Sequence, residues 1–148
     1  MSNALQFLRR TVGDWSSSRR YLFAPKLEPV NLVTEFKIDE LAHGVFQVVW
    51  QGQTSGTMEL TLYEDILHRS RDYFGGGAHF SKIGMIDPDC IVLRTEYDGL
   101  RFREEIRFHE HDVYRHRYTV GVNIETGQLA LQGSYWETRL SLTKPCRP

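Results

Sequence analysis

Apolar and polar residues alternate with a period of two through most of this chain, and only the first dozen residues depart from it. In Asn3–Val12 the residues Leu5, Leu8 and Val12 fall on one helical stripe. Asn3 is placed to cap that helix, with Gln6 three residues on, and Gly13 ends it. Ten extended segments follow: Trp15–Phe23, Asn31–Ile38, Gly44–Gln51, Thr57–Tyr63, Ile66–Tyr73, His79–Met85, Cys90–Tyr97, Leu100–Phe108, Tyr114–Val122 and Gln128–Leu142. Turn chemistry separates them. Pro25 and Pro29 break the chain, Gly52–Gly56 and Glu64–Asp65 turn it, and Gly75–Gly76–Gly77 forms a loop. Asp87–Pro88–Asp89, Asp98–Gly99 and Thr126–Gly127 mark later turns, and Lys144–Pro148 is a loose tail. Short strands at even spacing predict an all-β fold, a ten-stranded antiparallel up-and-down barrel or a sandwich, as one domain over 1–148. The helix plugs one end of it.

Composition narrows the function classes. A length of 148 residues suits one domain with a sizeable core. The formal net charge of -1 provides no global basic field, so neither nucleic acid nor an anionic membrane is an expected partner. No apolar run reaches the length of a membrane span. Cys90 and Cys146 are the only cysteines, and their separation predicts free thiols in a reducing compartment. The first residues lack the apolar core of a secretion signal. The expected location is the cytoplasm, or a plastid stroma if a transit peptide has been removed.

Catalytic signatures are few. The glycine run has no following Lys-Ser/Thr and no helix, and no serine sits in a nucleophile elbow. His109 and His111 lack a third convergent ligand, so no metal site is expected. The charged residues of the later strands carry more information. Glu104, Glu105, Arg107, Arg115, Arg117, Glu137 and Arg139 lie on three segments that neighbour one another in an up-and-down barrel, and the last of these closes beside Arg19. They form either cross-strand ion pairs on a wet outer face or the polar wall of a pocket. Parity puts Glu104 and Glu105 on opposite faces, so only one of them can serve a pocket.

Two resemblances add to this. Gly13–Asp14–Trp15 ahead of ten β segments resembles the opening of the calycins, the lipocalins and fatty-acid-binding proteins. Several stretches then match in order: Gly13–Asp14–Trp15 with Ser17–Ser18–Arg19, Thr95–Glu96–Tyr97, Glu104–Glu105–Ile106–Arg107–Phe108, Arg115–His116–Arg117, and Ser134 with Glu137–Thr138–Arg139. Together they resemble the S/U-type (CpcS/CpeS-like) phycobiliprotein lyases. The stretch from Pro25 to Gly77 matches loosely, and Tyr21–Leu22 stands where that family often carries histidines. The resemblance implies a ten-stranded fatty-acid-binding-protein-like barrel that binds an open-chain tetrapyrrole, phycoerythrobilin or phycocyanobilin. It implies delivery of that bilin to a cysteine of an apo-phycobiliprotein subunit, with no prosthetic group of its own. Glu105 and Glu137 are the expected acids at the pyrrole nitrogens. Arg19, Glu104, Arg115, Arg117, Trp136 and Arg139 are the expected ligand contacts. A bilin reductase as donor and a homodimer are further expected partners on family grounds. The alternatives are a non-catalytic carrier of a bilin or another hydrophobic anion, such as a fatty acid, and a structural protein with a filled barrel.

Overall fold

The computed structural model describes residues 2–26, 28–70 and 79–140. Helix α1 spans Asn3–Arg10, and the strands are β1 (Gly13–Phe23), β2 (Pro29–Ala42), β3 (Val45–Gln51), β4 (Gly56–Tyr63), β5 (Ile66–Arg69), β6 (His79–Asp87), β7 (Cys90–Tyr97), β8 (Leu100–His109), β9 (Tyr114–Asn123) and β10 (Leu129–Arg139). Each strand pairs antiparallel with the next, and β1 pairs with β10, so the sheet closes into a ten-stranded up-and-down barrel. Closure leaves no sheet edge among these strands.

Several boundaries differ from the sequence expectation for local reasons. Ser2, not Asn3, caps the helix: its hydroxyl accepts from the Leu5 amide, and Thr11 closes the far end two residues early. Pro29 opens β2 instead of breaking the chain, a position where a missing N–H costs no ladder bond. The fifth strand ends at Arg69. The rest of its expected span (71–73), the glycine run Gly75–Gly77, the expected end of the last strand (141–142) and the tail with Cys146 lie outside the described residues. Asp98–Gly99 makes the expected two-residue hairpin, with both residues at positive φ.

The helix closes the end of the barrel where β1 begins. Phe7, Leu5 and Leu8 pack into a cluster with Trp15, Phe36, Phe46 and Phe108. Arg139 clamps the helix there. Its guanidinium donates to the carbonyls of Arg10, Val12 and Asp112 and lies 4.3 Å from the centroid of Trp15. Arg10 in turn bridges Asp112 (2.7 Å) and Asp89 (2.8 Å). The hydrogen bond from Arg10 holds the Asp112 carboxyl below its usual range. Arg139→Ala strips three carbonyls of a charged donor. Its expected cost is about 2–3 kcal/mol, read from the urea midpoint. An unchanged midpoint contradicts the clamp.

At the opposite end the wall is uneven. His79, Tyr97 and Phe102 stack in succession, with centroids 4.2 and 4.9 Å apart, and Tyr21 meets Tyr135 edge-on at 5.5 Å. The Phe102 ring lies so close to Gly121 that a Cβ there would stand 2.7 Å from it. These rings, from β6, β7, β8, β10 and β1, crowd one side of the end and leave the β2–β4 side to a cavity.

Candidate functional site

A cavity of about 640 Å³ runs from the plug helix to the far end of the barrel. This is within the range of small-molecule sites. Phe7 and Leu8 floor it. Phe36, Ile38, Val48, Leu60, Leu67, Ile91, Leu93 and Ile106 make one apolar wall, and Phe23, Val30 and Gln53–Ser55 border the mouth. Trp50 stands at that mouth over Gly56. A Cβ on Gly56 would come within 2.5 Å of the indole, so this close approach requires glycine.

The other wall is charged, because parity on three strands turns charged side chains inward. On β8 the inward set is Phe102, Glu104, Ile106 and Phe108; on β9 it is Arg115, Arg117, Thr119 and Gly121; on β10 it is Leu131, Gly133, Tyr135, Glu137 and Arg139. On β9 the aromatics Tyr114 and Tyr118 face outward while the arginines face in, the reverse of an ordinary half-buried strand.

These groups form one alternating chain. Arg115 Nε donates to Glu137 Oε1 at 2.7 Å, and Arg117 Nη1 reaches Glu137 Oε2 at 3.4 Å. Arg117 Nη2 donates to Glu104 Oε2 at 2.9 Å, joined there by the Thr119 hydroxyl at 3.3 Å. Arg69, from β5, reaches Glu104 Oε1 at 3.3 Å. The side chains of these five charged residues are at most 7% exposed. Aromatic faces back the cations: Arg117 lies 4.5 Å from the Tyr135 centroid, and Arg115 lies 5.1 Å from Trp15.

Burial opposes ionisation of Glu137, but the charges of Arg115 and Arg117 outweigh it and hold the carboxyl below its usual range. Burial also pulls the Arg115 pKa down, yet a guanidinium starts so high that it stays charged. Arg19 is a further inward cation. Its Nε donates to Ser17 Oγ at 3.0 Å, and its head lies 5.1 Å from the Tyr135 centroid. It has no carboxylate partner among the described residues. Four guanidiniums therefore line the cavity, those of Arg19, Arg69, Arg115 and Arg117, while Glu104 and Glu137 sit behind them. Among the described residues that is four guanidiniums against two carboxylates, an arginine-rich lining that suits an acidic ligand.

The expected site residues thus separate. Glu104, Arg115, Arg117, Glu137 and Arg19 come together. Glu105 does not join them: its half-exposed carboxylate lies on the outer face, 3.4 Å from Arg103. Trp136 also points outward, 60% exposed, and stacks on His116 at 4.2 Å. Arg139 faces inward, but at the plug, bound to backbone carbonyls. Arg69 was not anticipated from the sequence. Its signal was parity with the apolar Leu67, two residues earlier on β5. Among the described residues no three His, Cys, Asp or Glu side chains converge as a metal site, and no helix is long and apolar enough to cross a membrane.

No family model matches the chain. CpcS 2 of Nostoc sp. (strain PCC 7120), a protein named as a phycocyanobilin lyase, is 25% identical over 168 aligned positions, covering 94% of this chain and 92% of its own. CpcV of Picosynechococcus sp. (strain PCC 7002), named as a chromophore lyase, is 24% identical over 94% of this chain and 82% of its own. Among solved structures, the S-type phycobiliprotein lyase CpeS from Guillardia theta superposes with a TM-score of 0.76 at 18% identity, over 99% of this chain and 95% of its own. A DUF3598-family protein of unknown function from Nostoc punctiforme gives 0.66 at 14% identity, over 90% of this chain and 48% of its own. The structural matches show the shared barrel.

Proposed function

We infer, from a chain that resembles the CpcS/CpeS-like phycobiliprotein lyases over nearly its whole length, that the barrel binds an open-chain bilin and hands it to a cysteine of an apo-phycobiliprotein. The observation that carries this reading is the cavity itself: an apolar basin lined by four arginines, with two carboxylates behind them among the described residues. A bilin is a long conjugated body with two propionates. Its body suits the apolar wall and Trp50, and each propionate suits a guanidinium fork.

Propionates arriving at Arg69, Arg115 or Arg117 compete with Glu104 and Glu137 for the same N–H groups. The carboxylate oxygens so released accept from pyrrole N–H groups and favour the protonated, more electrophilic bilin. Glu104 takes the role that the family resemblance assigned to Glu105, since of the two only Glu104 is on the inward face of β8. The acceptor's thiol then adds across the ring A ethylidene double bond. Sulfur bonds one carbon, the proton ends on the other, and nothing leaves. The protein's contribution is to orient the pigment, protonate it and keep it from water.

The nucleophile belongs to the acceptor. Cys90 is buried, and burial pushes its thiol pKa up, the wrong direction for a nucleophile. A variant carrying Cys90→Ser and Cys146→Ser should attach bilin at the wild-type rate, followed by covalent pigment on the acceptor after denaturing electrophoresis; loss of attachment would place the thiol in this chain. One observation favours a second reading, a carrier of bilin or another hydrophobic anion: both carboxylates lie behind the arginines and neither lines the cavity. Mixing the protein with phycocyanobilin or phycoerythrobilin, recording absorbance, and then adding an apo-subunit separates the two. A shifted spectrum followed by faster, correctly placed attachment supports the lyase. A shifted spectrum without acceleration leaves the bilin carrier, and no shift contradicts both bilin readings.

A further inference from the structure

We propose that Arg69 is a positioning residue of the bilin site: it holds the Glu104 carboxylate from a strand three places away around the barrel and, by its own charge, limits how strongly the bound bilin holds its proton. This rests on the bilin reading above, with Glu104 facing the pyrrole nitrogens.

The geometry sets Arg69 apart from the other arginines. Arg115 and Arg117 stand on β9, next to the strands of the acids they hold. Arg69 stands on β5, and β6 and β7 separate it from Glu104 on β8. Its contact therefore skips two strands instead of following a strand pair. It meets Glu104 Oε1 at 3.3 Å, while Arg117 and Thr119 converge on Oε2. The two oxygens are thus gripped from different walls, which fixes the plane of the carboxylate as one wall alone would not. Arg69 also lines the cavity, so a ligand meets it directly.

The charged groups facing the middle of the lumen among the described residues are Arg19 on β1, Arg69 on β5, Glu104 on β8, Arg115 and Arg117 on β9, and Glu137 on β10. The titratable rings of His79 on β6 and Tyr97 on β7 stack nearer the open end. Removing one cation from this set leaves Glu104 less compensated and relieves repulsion on a protonated bilin. Both effects act in the same direction.

The test is the absorbance titration of bound phycocyanobilin in the wild type, Arg69→Gln and Arg69→Lys. Arg69→Gln should raise the proton affinity of the bound pigment about tenfold, so the protonated spectrum persists to higher pH. Arg69→Lys keeps the charge and should titrate as the wild type does. Lacking the guanidinium fork, it should lose at least about half of the circular dichroism induced in the bilin. A purely structural arginine would change the melting temperature and neither optical signal. A folded Arg69→Gln with a wild-type titration overturns the proposal. If Arg69→Gln does not fold, an Arg69→Lys protein with unchanged dichroism overturns it. A wild type that binds no bilin removes the functional reading and this inference with it, whereas normal binding with optically silent variants removes this inference alone.

Discussion

Glu137→Leu should lower the stability of the fold by about 3–5 kcal/mol, the usual cost of removing one partner from a buried ionic cluster. The Glu137 carboxylate is completely buried, with Arg115 at 2.7 Å and Arg117 at 3.4 Å. Leucine leaves two desolvated guanidiniums with Glu104 as their remaining carboxylate neighbour among the described residues. The measurement is the denaturant midpoint of the free protein, so a missing ligand or acceptor does not confuse it. A pH signature accompanies the loss. The Glu137 carboxyl is depressed in the folded state, so its contribution is present above the ordinary glutamate pKa and is lost as pH falls through the lower folded value. Wild-type stability should therefore drop in acid below the ordinary carboxylate range, and the Glu137→Leu curve should be flatter in that window. A variant as stable as the wild type would show that the pair merely breaks even with a packed leucine, as some buried pairs do.

The second large effect separates neighbouring residues. Glu104→Gln should slow bilin attachment by about a hundredfold or more, the scale of a lost positioned acid, and Glu105→Gln should attach bilin at the wild-type rate. The two are adjacent and chemically identical, and only the strand parity distinguishes them. Glu104 lies within the ion chain, whereas Glu105 pairs with Arg103 in solvent, an interaction of little energetic weight. Rates of pigment transfer to an apo-subunit decide it. Normal binding and transfer by both Glu104→Gln and Glu137→Gln would remove the acid role.

The barrel was legible because its strands carry period-two alternation and its turns carry Asp-Gly, Pro and Gly. The plug helix was legible from Leu5 and Leu8, although its cap lay one residue earlier than Asn3. Which face of each late strand points inward was not legible. Alternation states which residues share a face, and polarity normally decides which face is buried. On β9 polarity misleads, because the aromatic face is the wet one and the arginine face the dry one. Parity alone still carried a usable constraint: Trp136 and Glu137 are adjacent, so they cannot both face the lumen, and the buried acid excludes the indole. Arg139 shows a different limit. It shares the face of Glu137 but sits two residues nearer the plug, where the backbone carbonyls of Arg10, Val12 and Asp112 take its three donor nitrogens. Arg69 lay in a stretch with only a loose resemblance, and its reach past two strands to Glu104 is a tertiary fact that no local pattern encodes.

Buried ion chains are not economical as fold stabilisers, since apolar side chains of similar volume would fill this space without a desolvation penalty. The proposed reading is a site maintained for what it binds, with an arginine-rich lining suited to an acidic ligand. The most direct test compares phycocyanobilin with its dimethyl ester, which has the same conjugated body and no ionised propionate. The inward arginines predict that the ester binds at least about a hundredfold more weakly, two charge-assisted contacts having been lost. Equal affinity for the two would contradict the assignment of the arginine wall as the ligand's anchor.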